Sequence, residues 1–294
     1  MTVDDLQNLK PVKEFFVGID SDGCVFDSME VKHKECFCPA FVNVFGLQAA
    51  AKYAREAWDF VNLYSQSRGC NRFQAVLSAL DLLRVRPEVV KRGVKIPELN
   101  SLRAWVKKES KLGNPALQKE IERSGDAELK LVMQWSREVN ESVEKIVRSV
   151  PPFPCFRESL DKLLTKADVI VVSQTPTEAL VREWAELGID KKVRFIAGQE
   201  LGTKSEHLAY AAQGKYTPDK ILMIGDAPGD YKAAQAVKGL FYPVVPGRED
   251  ESWKRFLDEA IDKFFGMGYA NGYAQGLLAE FNQSLPAKAP WQAA

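Results

Sequence analysis

Apolar and polar positions alternate along this chain in two distinct ways. Residues 15–19 read Phe-Phe-Val-Gly-Ile and stop on Asp20. Four later runs repeat that design, at 169–173, 194–197, 221–225 and 240–245. Each is short and almost wholly apolar, as a strand must be when both faces of its sheet are covered. Amphipathic stretches at 177–187, 205–212 and 231–237 separate the late runs and carry the helical period. Strand, helix, strand in this order predicts parallel βαβ units, and so an α/β fold with a Rossmann-like parallel sheet.

Between the first strand and the second the pattern changes. Residues 30–149 are rich in Ala, Leu, Glu, Lys and Arg, with apolar positions at helical spacing such as Phe73, Val76, Leu77, Leu80 and Leu83. Residues 128–147 read as one long helix, and Pro87, Pro97 and Pro115 punctuate the stretch. An all-helical insertion is expected over 29–150, leaving 1–28 and 151–294 as the α/β core. The stiff segment Pro151-Pro152-Phe153-Pro154 should be one half of a two-stranded hinge, with residues 26–31 as the other. Gly268, Gly272 and Gly276 recur every fourth residue near the end. On a helix they would form a face that a neighbouring backbone could approach, and packing explains them better than a dinucleotide loop. Residues 284–294 are expected to fray.

Composition narrows the functional classes. Forty basic residues balance forty acidic ones among 294, so no electrostatic footprint for nucleic acid or an anionic membrane is visible. No apolar run is long enough to span a bilayer. The acidic start Met1-Thr2-Val3-Asp4-Asp5 is not a signal peptide, and a cytoplasmic location is expected. Five cysteines at irregular spacing, Cys24, Cys36, Cys38, Cys70 and Cys155, suggest buried reduced thiols rather than a disulfide framework. His33, Cys36 and Cys38 cluster in sequence but lack the second ligand pair of a structural zinc site.

The chemistry sits where the predicted strands end. Asp20 and Asp22 follow the first, and a strand ending on carboxylates at i and i+2 aims both to one side. Ser173 ends the second. Asp226 and Asp230 follow the strand at 221–225, and Lys204 opens a helix after Gly202-Thr203. In a parallel sheet these ends share one edge, where open α/β folds bind ligands. Oxygen ligands such as Asp20 and Asp226 suit Mg2+. A lysine such as Lys204 can offset phosphate charge, and a carboxylate nucleophile can split hydrolysis into two easier steps. Thr175-Pro176-Thr177-Glu178 and Thr203-Lys204-Ser205-Glu206 both have the form of a helix cap, with Thr175 and Thr203 as capping residues. The second places Lys204 in a first helical turn, where the helix dipole disfavours a cation.

These motifs resemble the haloacid dehalogenase superfamily, in its β-phosphoglucomutase-like branch. Asp20-Ser21-Asp22-Gly23 matches that superfamily's first motif, residues 169–173 its second, Lys204 its third, and Gly225, Asp226 and Asp230 its fourth. The resemblance covers roughly 12–28 and 151–247, and the helical insertion stands where that branch carries its cap domain and is longer than the usual small four-helix cap. It implies a Mg2+-dependent phosphatase that hydrolyses a small phosphorylated metabolite through an aspartyl-phosphate. Asp20 would be the nucleophile, and Asp22 the general acid/base with its carbonyl on the metal. Asp226 and Asp230 would complete the metal site. Ser173 and Lys204 would hold the phosphate, with Gly23 and Gln174 also among the phosphate-binding residues. The sequence departs from the family at Cys24, where Thr or Val is commoner, and at Gln174, where Asn is usual. A phosphoglucomutase-like phosphotransferase would use the same residues, and a non-catalytic binding module of the same fold is the alternative from another class. Asp27, Ser28, Lys32, His33 and Arg68 are candidates for substrate contact near the hinge, and His207 is expected to be structural. The sequence leaves the oligomeric state open.

Overall fold

A computed structural model describes residues 2–270 and 272–292. Five strands form one parallel sheet: β1 (Phe15–Ile19), β2 (Ala167–Val172), β3 (Phe195–Ala197), β4 (Ile221–Gly225) and β5 (Leu240–Pro243). Their order is β3-β2-β1-β4-β5. The chain builds outward from β1 on one side, then returns to place β4 on the other. That reversal puts a topological switch point between β1 and β4. Ile19 aligns with Val171 and with Ile224, so the carboxyl ends of β1, β2 and β4 stand level. Every residue of β1, β2 and β4 is buried, which is why these segments are almost wholly apolar instead of alternating, with Asp168 in β2 the one charged residue among them.

The five strands fall where the hydrophobic runs predict, with ends shifted by a residue or two. Asp20 lies just beyond β1, and Ser173 just beyond β2. The predicted helices are also present: Thr177–Glu186, Lys204–Ala212, Pro228–Ala236 and, in the insertion, Ala127–Ile146.

The chain divides into two compact units. One comprises Met1–Met29 and Ser149–Ser284, the other Glu30–Arg148 and Leu285–Ala294. The first holds the sheet. Its core is aromatic on one side: Phe156 meets Trp184 and Trp253 edge-on, and Phe26 meets Trp184 likewise. The second is helical among its described residues, built on Ala51–Asn62, Arg72–Arg84 and Ala127–Ile146 around Phe41, Trp58, Phe73 and Trp135. A π-helical turn at Lys32–Phe37 opens it.

Two expectations about the C-terminal region are corrected. Residues 285–292 do not fray, and they group with the helical unit instead of the core. Leu285 and Ala289 are buried there. Trp291 packs edge-on against Phe60, and the Arg86 guanidinium sits 4.2 Å from the Trp291 ring and 4.6 Å from Tyr53. An aromatic sandwich around a cation holds this segment, and tryptophan near a chain end was its only sequence signal. The glycine period does not line a packed helix face, because Gly268 precedes the helix Gly272–Ser284. A Cβ at Gly272 or Gly276 would meet nothing within 4 Å.

Candidate active site

The loop after β1 is fixed from below by two indoles. Trp184 Nε1 donates to Ser21 Oγ at 3.0 Å, and Trp253 Nε1 donates to the Cys24 carbonyl at 2.7 Å. Both tryptophans are fully buried. Gly23 turns the loop at a φ of +75°, in the left-handed region that favours glycine. Its N–H donates to the Phe26 carbonyl at 2.8 Å. Gly23 therefore shapes the turn, and its amide is taken by that bond.

Asp20, Asp226 and Asp230 converge at the switch point. One carboxylate oxygen from each lies within 4.8 Å of those of the other two. All three residues are buried, Asp230 completely. The Lys204 ammonium bridges two of them, at 2.8 Å from Asp20 Oδ2 and 2.6 Å from Asp230 Oδ1. The second oxygen of Asp230 accepts the Ala227 N–H at 3.0 Å, capping the helix Pro228–Ala236. Gly225 has a steric reason to be glycine. A Cβ there would stand 2.3 Å from the Asp230 carboxyl carbon.

Burial dominates the electrostatics. It pushes the Asp20 carboxyl well above its ordinary range; Lys204 opposes this, and Asp230 and Asp226 add to it. Asp230 is raised for the same reason, with Lys204 opposing and Asp226 adding. Burial works against the charged form of Lys204, but Asp20 and Asp230 outweigh it and hold the ammonium above its ordinary value. Three carboxylates gathered this closely in a buried site are costly without compensating charge. A hard divalent cation with oxygen ligands fits that donor set, and Asp20, Asp226 and Asp230 are the side chains that could hold it.

Lys204 reaches the cluster because the expected cap forms. Thr203 Oγ1 accepts the Glu206 N–H at 3.3 Å, and Glu206 Oε2 accepts the Thr203 N–H at 2.7 Å. This pins a cation in the first turn of Lys204–Ala212 against the helix dipole, and two buried carboxylates oppose that penalty. One turn on, His207 is wholly buried, and its pKa is lowered to about 4 by burial and then by Lys204, so it stays neutral at physiological pH.

Asp22 stands apart from the three-carboxylate cluster. Ser28 Oγ donates to its Oδ1, and Thr175 Oγ1 donates to its Oδ2 at 2.7 Å. The cap expected at Thr175 is thereby corrected. The helix begins at Thr177 with Pro176 at its N-cap, and no side chain of its own caps it. Glu200 Oε2 takes the Thr177 N–H and hydroxyl instead, at 3.0 and 2.7 Å. Ser173 Oγ accepts the Thr175 N–H at 3.1 Å, which leaves the serine hydroxyl hydrogen to donate elsewhere. The Gln174 side chain donates to the carbonyls of Ser173 and Gly202, at 3.2 and 3.0 Å. It ties two loops together.

Near the hinge, Ser28 belongs to the Asp22 network. Lys32 and Arg68 are buried in the helical unit, and His33 Nδ1 accepts the Trp58 indole N–H at 3.2 Å. Cys24 is buried with its thiol pushed well above its usual range, first by burial and then by Asp226 and Asp20. It fills space as an inert thiol.

Residues 96–241 match the family model described as haloacid dehalogenase-like hydrolase. The chain thus carries a haloacid dehalogenase-like hydrolase domain over those residues. Among solved structures it is similar to a protein of Clostridium acetobutylicum described as a predicted phosphatase, at 16% identity and a TM-score of 0.46, covering 86% of this chain and 99% of that one. It is also similar to a hydrolase from Pseudomonas syringae, at 15% identity and a TM-score of 0.45, covering 82% and 90%. A third is Bacillus subtilis YfnB, described as a HAD-hydrolase bound to magnesium, at 14% identity and a TM-score of 0.41, covering 84% and 99%. No curated protein matches the chain. No helix among the described residues is long and apolar enough to cross a membrane.

Proposed function

We propose that this protein is a Mg2+-dependent phosphatase acting on a small phosphorylated metabolite through an aspartyl-phosphate at Asp20. The observation that carries this reading is the Lys204 ammonium bridging Asp20 and Asp230 within a buried group of three carboxylates. Asp20, Asp226, Asp230 and the Asp22 carbonyl would hold the metal. When bound, Mg2+ would balance the carboxylates and draw negative charge from the transferring phosphoryl group.

The residues divide the work as follows. A carboxylate oxygen of Asp20 attacks phosphorus while the ester P–O bond breaks. Asp22 gives its proton to the departing alkoxide. Lys204 and the Ser173 hydroxyl bind phosphoryl oxygens and offset the charge that shifts onto them. Water then attacks the phosphorus of the aspartyl-phosphate, and Asp22 takes its proton. The bond between phosphorus and Asp20 breaks, releasing inorganic phosphate. The helical unit is proposed as a cap that selects the substrate and limits water.

Phosphate release from a panel of metabolite phosphates, with and without Mg2+, tests this reading. Release that needs Mg2+ and vanishes in Asp20→Asn supports it. No release from any ester, or release unaffected by Asp20→Asn, refutes it. Isomerised sugar phosphate in place of inorganic phosphate would identify a phosphotransferase.

A further inference from the structure

The sequence assigns Thr175 to cap a helix, and the structure gives it another task. Its hydroxyl turns away from the helix and donates to Asp22 Oδ2 at 2.7 Å. Glu200, from outside, satisfies the helix start in its place. A threonine beside a proline-led helix start that gives up its local cap bond breaks a strong local preference, and such departures concentrate at functional sites. Its backbone is held as firmly. The Thr175 N–H donates to Ser173 Oγ at 3.1 Å, and its carbonyl accepts the Gln199 N–H at 3.1 Å. One residue thereby links the hydroxyl assigned to the phosphate with the carboxyl assigned to proton transfer.

We propose that Thr175 is a positioning residue for Asp22. It fixes which carboxyl oxygen faces the ester oxygen, and it keeps that oxygen in register with Ser173. Removing the Thr175 donor takes a hydrogen bond from Oδ2 while the Ser28 bond on Oδ1 stays, so the two oxygens are no longer held alike. The inference rests on the phosphatase reading and adds a residue that none of the four sequence motifs contains. Its signature follows from the chemistry of the leaving group. A nitrophenolate departs without a proton, whereas an alkoxide needs one. Misplacing the acid must therefore slow alkyl esters more than aryl esters.

The test compares Thr175→Val, which keeps shape and removes the donor, with Thr175→Ser, which restores it. Single-turnover rates are measured on an alkyl phosphate and on 4-nitrophenyl phosphate, with Asp22→Asn alongside. In Thr175→Val the alkyl rate should fall at least about tenfold further than the aryl rate, with KM for both little changed. Thr175→Ser should recover most of the loss. Equal falls on the two esters, a change confined to KM, or a serine variant no better than valine would overturn the inference. A purely structural role would lower melting temperature without moving the ratio between esters. If Asp22→Asn shows the leaving-group dependence and Thr175→Val does not, the positioning role alone fails. If Asp22→Asn shows none, the acid role of Asp22 fails and takes this inference with it.

Discussion

The Lys204 ammonium lies 2.6 Å from Asp230 Oδ1, between a helix start that repels a cation and a carboxylate with no exposed surface. Neither residue is comfortable alone. Together they turn two local penalties into one ordered ion pair that also reaches Asp20. Lys204→Met should lower kcat/KM about 10²–10³-fold, the range seen when one electrostatic contact to a developing charge is lost. Steady-state kinetics on the best ester of the panel checks this, and a change below threefold would remove Lys204 from the site.

Gly225→Ala isolates the placement of Asp230. The new methyl would meet the Asp230 carboxyl carbon at 2.3 Å, so the carboxylate must move. A displacement near 1 Å costs about 100-fold in rate when the moved group is catalytic. The expected result is that loss, with a weaker Mg2+ dependence measured by titrating activity with the metal. Wild-type activity in a folded Gly225→Ala would show that Asp230 need not stand where it does.

Acid should weaken the core in two stages. His207 is held below its ordinary 6.5, at about 4, so it contributes stability above 6.5 that is lost as pH falls toward 4. Asp168 is different. Burial alone would raise its carboxyl, but the Tyr216 hydroxyl at 2.6 Å, the N–H groups of Val12 and Lys13, and Arg194 hold it below its ordinary value. Its contribution is present above about pH 4 and is lost below it. Asp168→Ala should cost about 3 kcal/mol at neutral pH, because it leaves a cation and several donors unpaired. Urea unfolding at pH 7 and pH 3 checks this, and the wild type and variant should draw closer at the lower pH.

The segment ending in Trp291 should stabilise the helical unit. Trp291→Ala removes one face of the aromatic sandwich around Arg86 and should destabilise that unit by about 1–2 kcal/mol. Hydrogen exchange in Ala51–Asn62 reads this locally. Unchanged protection there would mean the contact contributes nothing.

How much of this was legible in the chain depends on the range of the interaction. The five strands were readable because residues such as Val169, Ile170 and Val171 are buried on both faces and leave a continuous apolar run. Asp20, Asp226, Asp230 and Lys204 were readable because the sheet topology brings strand ends together. Side-chain direction was not. Thr175 has the form of a cap, and only the arrival of Asp22 and Glu200 from distant segments redirects its hydroxyl. Gln174 and Gly23 likewise spend their polar groups on nearby backbone, which spacing alone does not reveal. The docking of residues 285–292 depended on Arg86 and Tyr53, far off in sequence.

The most direct test is a covalent one. The enzyme is mixed with its substrate, quenched during turnover, reduced with borohydride and digested, and the peptide containing Asp20 is weighed. Reduction at position 20, absent without substrate and absent in Asp20→Asn, is the predicted result. An unmodified Asp20 peptide from enzyme that has released its alcohol in a burst ahead of phosphate would contradict the aspartyl-phosphate.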